Sequence, residues 1–80
     1  MSLQYHLSSD LRRIRTDKLS LSQEKMAEKL DISTRQYGNL ENGRALPSLK
    51  IFLRLVYLME LNTEDYREEI LRELPENQTE

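Results

Sequence analysis

Between residues 22 and 43 the apolar positions follow a helical period twice, interrupted once by a corner. Met26 and Leu30 stand four apart with the small Ala27 beside them, which gives a short helix one apolar face. Asp31-Ile32-Ser33 reads as the corner. Ser33 with Gln36 three residues later is a capping-box pattern, so a second helix is expected to start at about Thr34. Its inward side is Tyr37 and Leu40, with Ile32 under its start, whereas Arg35, Asn39 and Asn42 at i, i+4 and i+7 form an outward polar stripe. Gly43 suits the left-handed position that commonly ends a helix. A stripe with one guanidinium, two amides and no carboxylate can bond to phosphates and to base edges.

The rest of the chain predicts three further helices and no strand-like alternation, so the fold class is all-α with five helices. The first is expected from about Ser9 to Lys18, with Leu7, Leu11 and Ile14 facing the core and Arg12, Arg13 and Arg15 outside. Arg44-Ala45-Leu46-Pro47 forms a loop, and Ser48 caps the fourth helix. Ten of the thirteen residues from Leu49 to Leu61 are apolar, too short a run to cross a bilayer, which needs about 20 residues. A helix apolar on most sides is expected to be buried on most sides. Leu49, Phe52, Val56 and Met59 are assigned to the domain core, which leaves Ile51, Leu55, Leu58 and Tyr57 in need of cover from the fifth helix or a second subunit. That fifth helix is expected over Thr63–Leu74, capped by Asn62 or Thr63, with Tyr66, Ile70 and Leu74 on one stripe. The domain is therefore set at 7–74, with 75–80 as a disordered tail and no weight given to Met1-Ser2-Leu3.

Leu21-Ser22-Gln23-Glu24, Met26-Ala27-Glu28-Lys29-Leu30, Ile32-Ser33, Leu40-Glu41-Asn42-Gly43 and Pro47-Ser48-Leu49 occur in an order and spacing that resemble the lambda-repressor-like helix-turn-helix proteins, also called the XRE type. The resemblance extends more weakly from about Asp10 to Asn62. It implies a compact five-helix DNA-binding domain whose second and third helices form the helix-turn-helix. Two departures stand out. Asp31 occupies a corner position where the family usually has glycine, and Lys18-Leu19-Ser20-Leu21 is one residue longer than usual and lacks a glycine.

By that resemblance the 34–42 helix enters the major groove of double-stranded DNA, N-terminal end towards the bases. Thr34, Arg35 and Asn39 become base-reading candidates, with Gln36 and Ser33 close by. Arg35 suits guanine and Asn39 adenine, though either can bond phosphate instead. Gly38 opens space for close approach to DNA or is simply tolerated. Phosphate candidates are Gln23 at a helix start, Asn42, Arg44 and Lys50. Glu41 is better read as an internal salt bridge to an arginine of the first helix such as Arg15. The resemblance also favours a homodimer on a palindromic operator, with Ile51, Leu55, Leu58, Tyr66, Ile70 and Leu74 as interface candidates, and the protein is expected to repress or, less often, assist transcription.

Charge at first argues against nucleic acid, because the net charge is −2. Divided along the chain it argues the other way: residues 1–54 hold ten Lys or Arg against six Asp or Glu, and residues 55–80 hold two against eight. Solvated helix faces would give the same asymmetry. No nucleophile–base pair or glycine-rich phosphate loop is present, and the one histidine, His6, falls in a segment expected to fray, so an enzyme is not expected. No cofactor is implied. The carboxylates Glu64, Asp65, Glu68, Glu69 and Glu73 alternate with Arg67 and Arg72 and read as a solvated face, not a metal site. Without cysteine or a signal-peptide-like start, a cytoplasmic location is the default. Little chain follows Leu74, so regulation is expected through concentration, dimerisation or a partner. The rival reading is a protein-interaction module such as an antitoxin or anti-repressor component, for which the weak basicity and the apolar fourth helix argue.

Overall fold

Ser2 caps a helix that begins well before Ser9, its hydroxyl oxygen accepting the Tyr5 amide. The structure, a computed structural model that describes residues 2–75, orders the chain as α1 (Leu3–Arg13), a π-helical turn over Ile14–Lys18, α2 (Gln23–Leu30), α3 (Thr34–Glu41), α4 (Leu49–Met59), a 3-10 turn over Thr63–Tyr66 and α5 (Arg67–Glu73). Five α-helices and no strand are present among the described residues. Of the tail set at 75–80, only Pro75 lies within them.

The core takes one stripe from each element. Leu7, Leu11 and Ile14 meet Met26, Ala27 and Leu30 of α2, Tyr37 and Leu40 of α3, Leu55 and Met59 of α4, and Tyr66 before α5. Leu3 packs against this core too, so Ser2 and Leu3, which carry no weight in the sequence, form the start of α1. His6 is likewise not frayed: its Nδ1 lies 2.8 Å from Glu69 Oε2, and its ring packs at a tilt of 54° against Tyr66, the centroids 4.6 Å apart. Tyr66 in turn donates its hydroxyl to Asp10 at 2.8 Å. These contacts latch the last helix onto the first, and they remove Glu69, which is buried, from the solvated acidic face.

In α4 the apolar faces are rotated from the expectation. Leu55 and Met59 are fully buried, and Ile51 and Leu58 pack against the same core, whereas Leu49, Leu53 and Tyr57 are 73%, 57% and 83% exposed. A helix apolar on nearly every side carries no periodicity from which its buried face can be read. The entry angle decides instead: Pro47 and the Ser48 cap fix where the helix starts, and Arg54 Nη1 donates to the Leu30 carbonyl at 2.8 Å, tying it to the C-terminal end of α2. Leu55 and Tyr66 therefore belong to the protein's own core and are not available to a second subunit. Ile70 and Leu74 remain partly exposed.

Three helix ends turn on a left-handed residue. At α2, Asp31 (φ 62°) takes the left-handed position, with Ile32 N–H donating to Ala27 C=O and Asp31 N–H to Glu28 C=O. Gly43 (φ 71°) ends α3 with Arg44 N–H on Asn39 C=O and Gly43 N–H on Leu40 C=O, and Glu60 (φ 55°) ends α4 with Leu61 N–H on Val56 C=O. The first two are Schellman closures, while at α4 the Glu60 N–H also goes to the Val56 carbonyl; each satisfies orphan carbonyls of the last turn. The first helix ends on Ser20 (φ 52°) with a wider loop, Leu21 N–H reaching back to Arg15 C=O after the π turn. One extra residue in the helical bond pattern is what a π turn accommodates, and it lies next to the segment that the sequence marks as one residue too long.

Only one of these left-handed positions holds glycine, and a side chain there costs roughly 1 kcal/mol. Asp31→Gly and Glu60→Gly should each raise the melting temperature by several degrees. A thermal melt in which Asp31→Gly lowers it would contradict the assigned corner geometry.

Candidate nucleic-acid interface

A buried carboxylate organises the side of the molecule that carries α3. Glu41, at the end of that helix, has no exposed side-chain surface, and three polar side chains from two other helices converge on it. Arg15 forms a bidentate pair with it, through Nε to Oε2 and through Nη2 to Oε1 at 3.1 Å, the pairing expected for Glu41. Gln23 Nε2 donates to Oε1 at 2.9 Å, and Arg12 Nε approaches the same oxygen to 3.7 Å. Arg15 Nη1 also reaches the Leu21 carbonyl at 2.8 Å, so the strap before α2 hangs on the same guanidinium. Arg15 is thus not an outside residue as its position in the arginine run suggests; its side chain is largely buried.

Burial opposes ionisation of Glu41, but the hydrogen bonds from Arg15 and Gln23 outweigh it and hold the carboxyl below its ordinary range. Tyr37 lies fully buried beside this pair, its hydroxyl without a hydrogen-bond partner among the described residues. Burial above all, and then the Glu41 charge, push its phenol well up. It stays a neutral, space-filling anchor that fixes the rotation of α3.

With Tyr37 and Leu40 turned inward, the opposite face of α3 is free. Its start is the capping box that Ser33 and Gln36 predict: Gln36 N–H donates to Ser33 Oγ at 3.0 Å, and Ser33 N–H to Gln36 Oε1 at 2.9 Å. The cap consumes the Gln36 side-chain oxygen and leaves its NH2 group as the part that can meet a ligand. Thr34 and Arg35 are exposed immediately after it. Asn39, half-buried, lines a cleft of about 220 Å³ with Gln36, Ala45 and Pro47. Arg44 and Lys50 are exposed beyond the end of α3 and at the start of α4, and neither side chain is held by a hydrogen bond or ion pair among the described residues. Gln23 is half-buried against Glu41, which fixes its amide at the start of α2 and takes one of its two N–H donors. Asn42, exposed at the other end of α3, accepts a hydrogen bond from Arg12 Nη2 at 3.1 Å. A Cβ placed on Gly38 would meet only Gln23 Oε1, at 4.0 Å, so the interior does not require glycine there.

Residues 33–44 thus assemble the base and phosphate candidates along one edge, with Gln23 and Lys50 contributed from α2 and α4. Two helices joined by a left-handed corner, the second with its polar face outward, match a family model described as Helix-turn-helix over residues 11–61, more than half of the chain. The chain belongs to the helix-turn-helix family. Searches with the same chain find no matching curated protein and no matching solved structure. Members of this helix-turn-helix family act as DNA-binding transcriptional regulators. In this helix-turn-helix domain the described residues include no cluster of potential metal ligands and no helix long and apolar enough to cross a membrane.

Arg12 lies outside as the arginine run predicts, but its approach to Glu41 and its hydrogen bond to Asn42 are not among the expectations from the sequence. A signal was there: Arg12 precedes Arg15 by three residues, so both lie on neighbouring parts of one helix face.

The Glu41 pair has a pH signature. A carboxyl whose folded pKa is depressed contributes stability above its unfolded pKa, and that contribution is lost as the pH falls through the folded value. Glu41→Gln, which leaves Arg15 buried without its counter-charge, should cost about 3 kcal/mol at neutral pH. The loss of melting temperature between about pH 5 and pH 3 should also be smaller in this variant than in wild type. Equal acid slopes in both proteins would show that Glu41 is not the titrating group.

Proposed function

We propose that this protein is a sequence-specific transcriptional regulator, most simply a repressor, that binds a palindromic operator as a homodimer with α3 in the major groove. One observation carries the reading: Thr34 and Arg35 are exposed on the first turn of a helix whose other side is anchored by fully buried Tyr37. That end of a recognition helix is the one that reaches base edges. Arg35 and Asn39 are assigned to base contacts, with Thr34, Gln36 and Ser33 beside them, each good bidentate contact contributing roughly 1–3 kcal/mol of discrimination. Gln23, Asn42, Arg44 and Lys50 hold phosphates and set the register.

The homodimer is supported by α4. Leu49, Leu53 and Tyr57 recur at i, i+4 and i+8 on its solvent side, a stripe of large apolar groups left exposed among the described residues. In a two-fold contact each residue i that meets j is matched by j meeting i, so antiparallel copies of α4 that cross at Leu53 can set Leu49 against Tyr57 of the partner subunit. Ile70 and Leu74, exposed on α5 and just beyond it, can extend the contact. Two recognition helices about 34 Å apart would then read the two halves of an operator. The same stripe favours the second reading, a module that binds another protein. Salt separates the two: DNA affinity collapses as salt rises, while an apolar protein interface tolerates it.

Selection of bound sequences from a random duplex library at near-physiological salt, with wild type beside Arg35→Ala, tests the first reading. Wild type should enrich a palindrome that the variant no longer distinguishes; no enrichment by wild type transfers the assignment to the protein-binding module. For the dimer, sedimentation equilibrium should show a two-fold mass for wild type and the monomer mass for Leu53→Glu, an exposed site where the charge does not disturb the core. A wild-type monomer at concentrations that bind operator would contradict the α4 interface.

A further inference from the structure

We propose that Arg12 of α1 is an additional DNA-phosphate ligand and that it positions Asn42, so that the first helix grips the backbone at the point where α3 leaves the groove. The inference rests on reading α3 as the recognition helix.

Arg12 and Arg15 differ in what their guanidinium groups still have to give. Arg15 is spent inside the protein, on both oxygens of Glu41 and on the Leu21 carbonyl. Arg12 makes one hydrogen bond, from Nη2 to Asn42 Oδ1 at 3.1 Å, and its side chain is 58% exposed. Most of its five N–H donors are therefore free. Its charge is little compensated, because Glu41, the one carboxylate within 4 Å of it among the described residues, already has Arg15 as its bidentate partner, and Arg12 lies 3.7 Å away. At that distance, and with its own end of the pair in solvent, Arg12 adds little to the bidentate bond that Arg15 already makes. One buried negative charge set against two arginines leaves a positive excess at the exposed one.

The hydrogen bond also decides which way Asn42 faces. A guanidinium only donates, so it must take the amide oxygen, and the NH2 group is left for an outside acceptor. Arg12 and Asn42 together thus present donors only, which suits a phosphate oxygen. The backbone around them is held: Gln4 donates to the Gly43 carbonyl, and Ser8 packs against Gly43. Tyr5, Ser9 and Arg12, on one side of α1, line a polar cleft of about 220 Å³ that runs up to Glu41. With the N-terminal turn of α3 at the bases, its far end, where Arg12, Asn42 and Arg44 gather, meets a strand of backbone.

The test uses the full chain and variants Arg12→Ala, Arg12→Gln, Asn42→Ala and the Arg12→Ala/Asn42→Ala pair, with Kd measured against salt on the selected duplex and on an unrelated one. Melting temperatures should stay close to wild type. Arg12→Ala should weaken binding roughly tenfold on both duplexes alike and reduce the slope of log K on log salt by about 0.9. Arg12→Gln should lose the same slope but keep the effect of Asn42, since an amide can still donate to its oxygen. The double variant should lose less than the two singles combined, as for groups that act together. Wild-type affinity and slope in Arg12→Ala would overturn the inference while leaving the DNA reading intact. Additive losses would overturn the positioning of Asn42. A wild-type chain that binds no duplex would overturn the DNA reading, and this inference with it.

Discussion

Glu41 is the one fully buried charge on which the geometry of the DNA-facing side depends. Without it, Arg15 would have no reason to leave solvent, the strap at Leu21 would lose its anchor, and Gln23 would be free to rotate at the start of α2. The cost of burying the carboxylate is offset by a bidentate guanidinium and an amide donor, the arrangement that makes a buried ion pair tolerable. Whatever its net contribution to stability, the pair supplies register. It fixes the end of α3 relative to α1 and α2 at a position where hydrophobic contact alone would permit sliding. Tyr37, one turn earlier and neutral, fills the space beside it, so polar and apolar anchors set the same rotation of α3.

The second constraint is how the helices stop. Helices of eight residues, such as α2 and α3, are too short to be stable by propensity, so their ends must be closed efficiently. Ser22, Ser33 and Ser48 each accept a backbone amide of the first turn, and three C-terminal ends turn on a left-handed residue. That Asp31 and Glu60 fill two of these positions in place of glycine means that part of the stability available to this backbone is left unused. For a domain of this size, whose surface is large relative to its core, that margin matters.

Legibility in the sequence followed the specificity of each pattern. The α2–α3 corner was readable because three independent signals agree there: the apolar period, the Ser33/Gln36 capping box and Gly43 at a helix end. The Glu41–Arg15 pair is legible because Glu41 lies between the inward and outward faces of α3, where a carboxylate can turn to an arginine of the first helix. By contrast, the buried face of α4 was not, since Leu49 and Leu55 are the same residue type and only the tertiary entry angle tells them apart. The start of α1 is not legible because Ser2, Leu3 and His6 look like an unstructured leader until Tyr66, just before α5, and Glu69 within it, sixty or more positions from His6, are packed against that residue. Contacts between distant segments leave little trace in local periodicity. In the site, exposed candidates such as Arg35 and Arg44 were recognisable by type and spacing, whereas Arg12 depended on knowing which of three arginines Glu41 would claim.

The central claim is that the edge built by residues 33–44, with Gln23, Arg12 and Lys50 around it, is the surface that meets DNA. Backbone amide chemical shifts, followed as a duplex carrying the selected site is added to the isotope-labelled protein, map that surface directly. The account predicts that the largest changes fall on Ser33–Asn39 and on Gln23, Asn42 and Arg44, with the outward face of α5 unmoved. Changes centred on Leu49, Leu53 and Tyr57 with α3 unaffected would contradict it.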